Sequence, residues 1–335
     1  MQGSLTRSPE LFPYSLESNG ERIAFIKLTQ SDYEKASFLD GRILAPGTPM
    51  ELITWREVAE ALESGDLEER CGFIFHIGHV GSTLLSRLIG AHPSAFVLRE
   101  PLLLRAFAQV NAETVSDARL SDTLKLFSRT FQAHQLAVIK ATSFVSELAA
   151  KLLMRASSPK AIMMSVPPES YFATILGGPN SRQESRTLAP SRLMRLQRRL
   201  GEQPWELASL SEGEILALTW VCEMAALTEG SHAADGRVLW VNFDQFLNNP
   251  AQSLTSVLNH LEMDASAQTV AAILAGPDMQ RYSKAPEHAY DAQLRSDVLN
   301  HARARHGNEI RRGLVWLERA AARFSVIRDA VQFQI

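Results

Sequence analysis

Five short runs of the chain are apolar at nearly every position: FIFHIG at 73–78, AFVLRE at 95–100, LAVIKA at 136–141, AIMMSV at 161–166 and RVLWVNF at 237–243. They do not alternate with polar residues, so they read as strands buried on both faces, the pattern of a parallel sheet. Between them the apolar residues recur at helical spacing, as Leu84, Leu85, Leu88 and Ile89 do within STLLSRLIGA at 82–91. Further helices are expected near 101–110, 119–133, 146–156 and 168–177. Strand–helix alternation of this kind makes the fold class α/β, a parallel sheet with crossover helices on both faces.

The two ends depart from that rhythm. RIAFIKL at 22–28 reads as a strand, and 31–39 and 55–64 as short helices, which makes residues 1–66 a small N-terminal cap. That length gives little room for a core of its own. The main domain runs over 67–335. Within it, 177–213 is a polar, Gly- and Pro-punctuated insertion with a helix near 190–201. A long helix follows at 214–231, and a helical C-terminal portion starts at NNPAQSLTSVLNHLEM and reaches about 325.

Composition narrows the function classes. A net charge of −3 gives no global basic field for nucleic acid or an anionic membrane, so any anion site must be local. The two cysteines, Cys71 and Cys222, are far apart and form no metal or disulfide pattern; both read as buried small hydrophobes. The histidines have no metal spacing, and no metal is expected. MQGSLTRSPELFPYS contains no apolar run of signal-peptide length. The apolar stretch 215–227 carries Glu223 and is shorter than the roughly 18 residues a membrane span needs. The expected compartment is the cytoplasm, with no membrane or nucleic-acid partner.

The chemistry concentrates in FIFHIGHVGSTLLSRLIGAHP. A buried strand ends at Gly78, the chain turns through His79, Val80 and Gly81, and a helix starts at Ser82. Such a turn aims unpaired helix N–H groups and the positive end of the helix dipole at one point. Gly78 and Gly81 permit the turn and a close backbone approach. Ser82 and Thr83 are expected to cap the helix and to donate hydroxyls to the same anion. A plain βα turn in any α/β protein would use the same residue types. A nucleoside-triphosphate loop needs G-x-x-x-x-G-K-[ST]; here Ser82 stands at its Lys and His76 at its first Gly, which argues against an ordinary Mg-ATPase or kinase.

On these residues the segment resembles the 5′-phosphosulfate-binding loop of the sulfotransferase family. Gly78, Gly81, Ser82, Thr83, Leu84, His92, Pro93, Glu100 and Pro101 match that family's strand–loop–helix–HP–strand order. VNFDQFLNNPAQSLTSVLNHLEM is similar to its late strand, Asn-Pro turn and helix. RYSKAPEHAYD at 281–291 is like a basic segment of bacterial relatives. The resemblance spans roughly 73–315. It implies a P-loop-type fold, binding of 3′-phosphoadenosine 5′-phosphosulfate as cosubstrate, and transfer of the sulfuryl group to a hydroxyl or amine of a small-molecule or peptidyl acceptor. Gly78, Val80, Gly81, Ser82, Thr83 and Leu84 would hold the cosubstrate, joined by Arg281, Ser283 and Lys284.

The chain also departs from the family. His79 stands where Lys or Arg steadies the leaving oxygen. Ser165 stands at the Arg that binds the 3′-phosphate, with Ala173 at the partner Ser and Thr174 one place later. IKATSF lacks the family's His base. Glu100, at the carboxyl edge of the sheet, is then the expected general base or else one half of a structural ion pair. Lys140, in a buried strand, faces the anion or pairs with Glu100. Six arginines (182, 186, 192, 195, 198 and 199) with a single nearby acid suggest a basic lid, or a solvated helix face. Two other functions stay open: a non-catalytic nucleotide- or anion-binding protein on the same fold, and a kinase-like phosphoryl transferase. The acceptor and the oligomeric state are open as well.

Overall fold

The computed structural model describes residues 2–109, 116–280 and 292–333. The chain opens with an antiparallel sheet in the order β1 (Leu11–Leu16), β2 (Arg22–Lys27), β3 (Glu51–Thr54). The sequence pattern marks β2, whose Ile23, Ala24, Phe25 and Ile26 are buried, and misses its two neighbours. β1 contains Pro13. Proline is tolerated there because β1 is an edge strand and its register slips between Pro13 and Ser15.

Five parallel strands follow: β4 (Cys71–His76), β5 (Ala95–Arg99), β6 (Leu136–Lys140), β7 (Ala161–Ser165) and β8 (Val238–Asn242). Their order is β5-β6-β4-β7-β8, so β4 is central. Phe73 sits opposite Ile139 on one side and Ala161 on the other. Every residue of β4 is buried, and each large apolar side chain placed there contributes roughly 1.5–3 kcal/mol.

The main helices are α1 (Ser82–Gly90), α2 (Pro168–Gly177), α3 (Pro179–Leu200), α4 (Glu212–Ala233) and α5 (Ala292–Arg323). Two expectations need correction. The helix expected over 146–156 is a 3-10 segment, Ser143–Leu148, followed by a short helix, Ala149–Leu153. The insertion expected over 177–213 is mostly one 22-residue helix, α3, which runs through Pro190. Its buried face carries Leu193 and Leu196 together with arginines, and such a face shows no clean apolar stripe.

One hydrophobic cluster runs from Leu5 to Ala330, so the cap and the parallel sheet share a core. Two buried arginines bind them further. Arg99, in β5, donates from Nη1 to the carbonyls of Tyr33 (2.9 Å) and Ala36 (3.1 Å). Arg129 donates to the carbonyls of Leu5 (2.9 Å), Leu11 (2.8 Å) and Leu126 (2.7 Å).

Candidate functional site at the β4–α1 loop

Five residues join β4 to α1, and three of them lie in the left-handed region: Gly78 (φ 86°), His79 (φ 54°) and Gly81 (φ 68°). That region costs an L-residue roughly 1–2 kcal/mol, so His79 must be held there by its surroundings. Its Nε2 lies 3.4 Å from a Glu184 carboxylate oxygen, and its Nδ1 lies 3.5 Å from the Ser181 hydroxyl. The Gly78 N–H donates to His76 Nδ1 at 3.0 Å. Gly78 therefore contributes the turn, and its amide is engaged within the loop.

The helix starts at Ser82 as expected, and its N-cap is Gly81, which has no side chain to cap with. The expected capping by Ser82 and Thr83 is therefore not what forms. The first helical bond runs from the Leu85 N–H to the Gly81 carbonyl, 3.1 Å. The N–H groups of Ser82, Thr83 and Leu84 are left without an intrahelical acceptor. Thr83 Oγ1 is buried and has no hydrogen-bond partner among the described residues. A buried hydroxyl in that condition costs about 1–3 kcal/mol unless a ligand or water satisfies it. The side chains of Val80 and Leu84 are buried in the core, so any role of theirs at the loop is through the backbone.

Beneath the loop lies Phe243, from the VNFDQF motif. A Cβ built on Gly81 would fall 1.9 Å from its ring carbon Cε2. The ring is fixed from two sides. Asn242 Oδ1 accepts from the N–H groups of Asp244 and Gln245, which sets the start of the helix Phe243–Asn248. The Arg295 guanidinium lies 4.8 Å from the ring centre and is paired to Asp244 at 2.7 Å. Two of the three segments that carry the sulfotransferase resemblance are thus packed against each other.

The carboxyl ends of β5 and β6 supply the neighbouring groups. Glu100, at φ 54°, donates its N–H to the Lys140 carbonyl at 2.6 Å. Its carboxylate is ion-paired with Lys140 Nζ, and the Lys140 side chain is 1% exposed. Of the two sequence expectations for Lys140, the partner is Glu100. Thr142 and Ser143 come directly after β6. Thr142 Oγ1 is buried with no partner among the described residues, and Ser143 Oγ would lie 3.6 Å from a Cβ on Gly78. The cap adds Phe38, whose ring centre is 5.6 Å from Lys140 Nζ and is covered on a face by Arg42 at 3.4 Å.

The arginine-rich segment is engaged with carboxylates. Arg182 and Arg186 meet Glu212 (2.6 and 2.9 Å), Arg192 and Arg195 meet Glu223 (3.0 and 2.7 Å), and Arg195 and Arg199 meet Glu147 (3.0 and 2.8 Å). Glu223 is fully buried. Burial works to raise its carboxyl, but Arg195 and Arg192 outweigh it, and the group is held below its ordinary value. These arginines fasten α3 to α4 and to the 3-10 segment Ser143–Leu148, which neither a lid nor a solvated face anticipates.

The structure thus brings Glu100 and Lys140 together at the carboxyl ends of β5 and β6 and sets His79 against α3. Arg281, Ser283 and Lys284 lie outside the described residues. Ser165 closes β7 and is buried opposite Asn242. Sequence reasoning gave no site role to Phe243, Ser143, Ser181, Glu184 or Phe38, although Phe243 lies in the VNFDQF motif and Glu184 is the single acid beside the arginines. Ser143 also had a local signal, its place just past a strand end at the sheet's carboxyl edge; Ser181 and Phe38 had none. Among the described residues, no group of His, Cys, Asp and Glu is placed to hold a metal ion, and no helix is long and apolar enough to cross a membrane.

No protein-family model matches the sequence, and no curated protein matches it. Solved structures that resemble the fold include sulfotransferase STF9 from Mycobacterium avium (11% identity, TM-score 0.40, 75% of this chain and 79% of that one). A sulfotransferase from Alicyclobacillus acidocaldarius resembles it at 13% identity and TM-score 0.37, over 77% of this chain and 99% of that one. A mouse sulfotransferase, SULT7A1, complexed with PAP, resembles it at 15% identity and TM-score 0.34, over 66% and 70%. At identities of 11–15% and TM-scores below 0.5, these likenesses assign no role to any residue.

Proposed function

We propose that the protein is a sulfotransferase-type enzyme that binds 3′-phosphoadenosine 5′-phosphosulfate on the Gly78–Leu84 loop and sulfates a hydroxyl or amine. One observation carries the proposal. A left-handed turn at the end of the central parallel strand leads into a helix whose first N–H groups are uncapped, beside the unpartnered, buried hydroxyl of Thr83. Uncapped N–H groups and a spare hydroxyl are what a 5′-phosphate would satisfy. The residues present therefore fit the group.

The phosphosulfate supplies the sulfuryl group: its S–O bond to the bridging oxygen breaks as a bond forms from sulfur to the acceptor atom. The amides of Ser82, Thr83 and Leu84 hold the phosphate in place, and the helix dipole adds to their field. His79, at the turn, is the residue assigned to the leaving oxygen, where charge develops. Glu100 takes the acceptor's proton. Lys140, bonded to Glu100 Oε1, fixes the carboxylate's orientation and leaves Oε2 for the proton.

Calorimetry tests the cosubstrate class. Adenosine 3′,5′-bisphosphate should bind in preference to ATP·Mg²⁺, and the reverse preference would overturn the proposal. A second function, binding without catalysis, is favoured by one contact: Glu184 places a carboxylate 3.4 Å from His79, where the enzyme needs positive charge. It becomes the better account if both wild type and His79→Lys bind the bisphosphate yet sulfate nothing in a broad acceptor panel.

A further inference from the structure

A cleft of about 590 Å³ lies where the turn between α2 and α3 meets α5. Its walls include Leu176 and Arg182 on one side and Val298, His301, Arg305 and His306 on the other. That volume suits a small organic molecule. Val298 is 46% exposed, an apolar side chain open to the cleft among charged neighbours.

The charge around the cleft is unbalanced. Arg182 and Arg186 share the single carboxylate of Glu212, which leaves one positive charge in excess. Arg305 and Asp297 both line the cleft and offset each other, and the imidazoles of His301 and His306 line it too. Pro179, the first residue of the 22-residue α3, also lines it, and the N-cap Gly178 makes no side-chain cap. The positive end of that helix therefore adds to the same field. Burial first, then Arg182 and Arg305, hold the His306 imidazole below its ordinary value against the opposing Glu212. At His306 the backbone of α5 leaves helical geometry (φ −119°, ψ 18°). Departures of this kind inside a helix have local causes and often mark a site.

We infer that this cleft binds a small organic anion with a short apolar body, a carboxylate or a phosphate monoester, at a site separate from the Gly78–Leu84 loop. The anion lies among Arg182, Arg305 and the two imidazoles, and the apolar body lies against Leu176 and Val298. The site does not depend on the function proposed for the loop.

The test is calorimetric titration of the full chain with octanoate, octyl phosphate and the neutral control 1-octanol. Both anions should bind, with octanol at least about tenfold weaker. Arg305→Glu, at an exposed position, should weaken both anions about fivefold or more while leaving the unfolding midpoint and adenosine 3′,5′-bisphosphate binding unchanged. Arg56→Glu, in the distant cap helix Trp55–Glu63, should leave all three titrations as in wild type. Equal binding of octanol and octanoate, or an Arg305→Glu variant that binds octanoate as wild type does, would each overturn the inference.

Discussion

Two glycines of one loop separate two physical effects at the scale of the residue. A methyl carbon at Gly81 meets the Phe243 ring at 1.9 Å, whereas at Gly78 the nearest atom, Ser143 Oγ, is 3.6 Å away. Both have positive φ, so Gly78→Ala should lose only the roughly 1–2 kcal/mol of left-handed strain. Gly81→Ala should lose that and about 1–3 kcal/mol more from overpacking, measured as a lower urea midpoint. The place a methyl group would take at Gly81 is filled by the Phe243 ring, a packing contact that the sequence does not reveal. At the strand ends, Glu100→Gln should lower turnover by about 10²–10⁴ and leave bisphosphate affinity nearly unchanged. Lys140→Met strands a carboxylate beside the core and should destabilise by about 3–5 kcal/mol, a loss that adding Glu100→Gln should largely restore.

At the scale of the element, α3 shows where sequence pattern stops being informative. The parallel strands were legible because a strand covered on both faces needs apolar residues throughout, a requirement written in consecutive positions. The loop was legible for a similar reason, since its turn needs Gly at fixed places. The arginines of α3 were not, because their partners Glu147, Glu212 and Glu223 come from other elements, and a charge run alone does not say what it meets. Glu223→Gln should loosen α3 and cost about 3–5 kcal/mol, because two guanidiniums stay buried with less to balance them. Its pH dependence follows from the sign of the shift. The folded carboxyl is held below its ordinary value near 4.5, so the clasp is at full strength above that value and is lost as the pH falls through the lower folded one. Wild type should therefore lose stability in acid more steeply than Glu223→Gln, as read from urea midpoints between about pH 6 and pH 3.

For the whole molecule, the cap and the parallel sheet are expected to unfold together. Arg129 ties the carbonyls of Leu5 and Leu11 to the end of the helix Asp117–Phe127, and among the described residues it does so without a carboxylate. Arg129→Met would leave those buried carbonyls unpaired and should cost several kcal/mol, about 1–3 for each group. Loss of signal from Trp55 in the cap and from Trp220 in α4 should coincide in a denaturant titration of wild type; separated transitions would mean that the cap folds independently.

The packing of Phe243 beneath Gly81 also sets an order in time. A ribosome releases the loop long before β8 and the ring that follows it, and domains assemble as their residues emerge. A nascent chain halted short of residue 243 would carry every residue of the loop and still lack the surface on which its turn rests. Stalled chains ending before residue 243 should then fail to retain adenosine 3′,5′-bisphosphate, while chains extended through α5 should retain it. Competence of the earliest motif would in this way be deferred to the last part of synthesis.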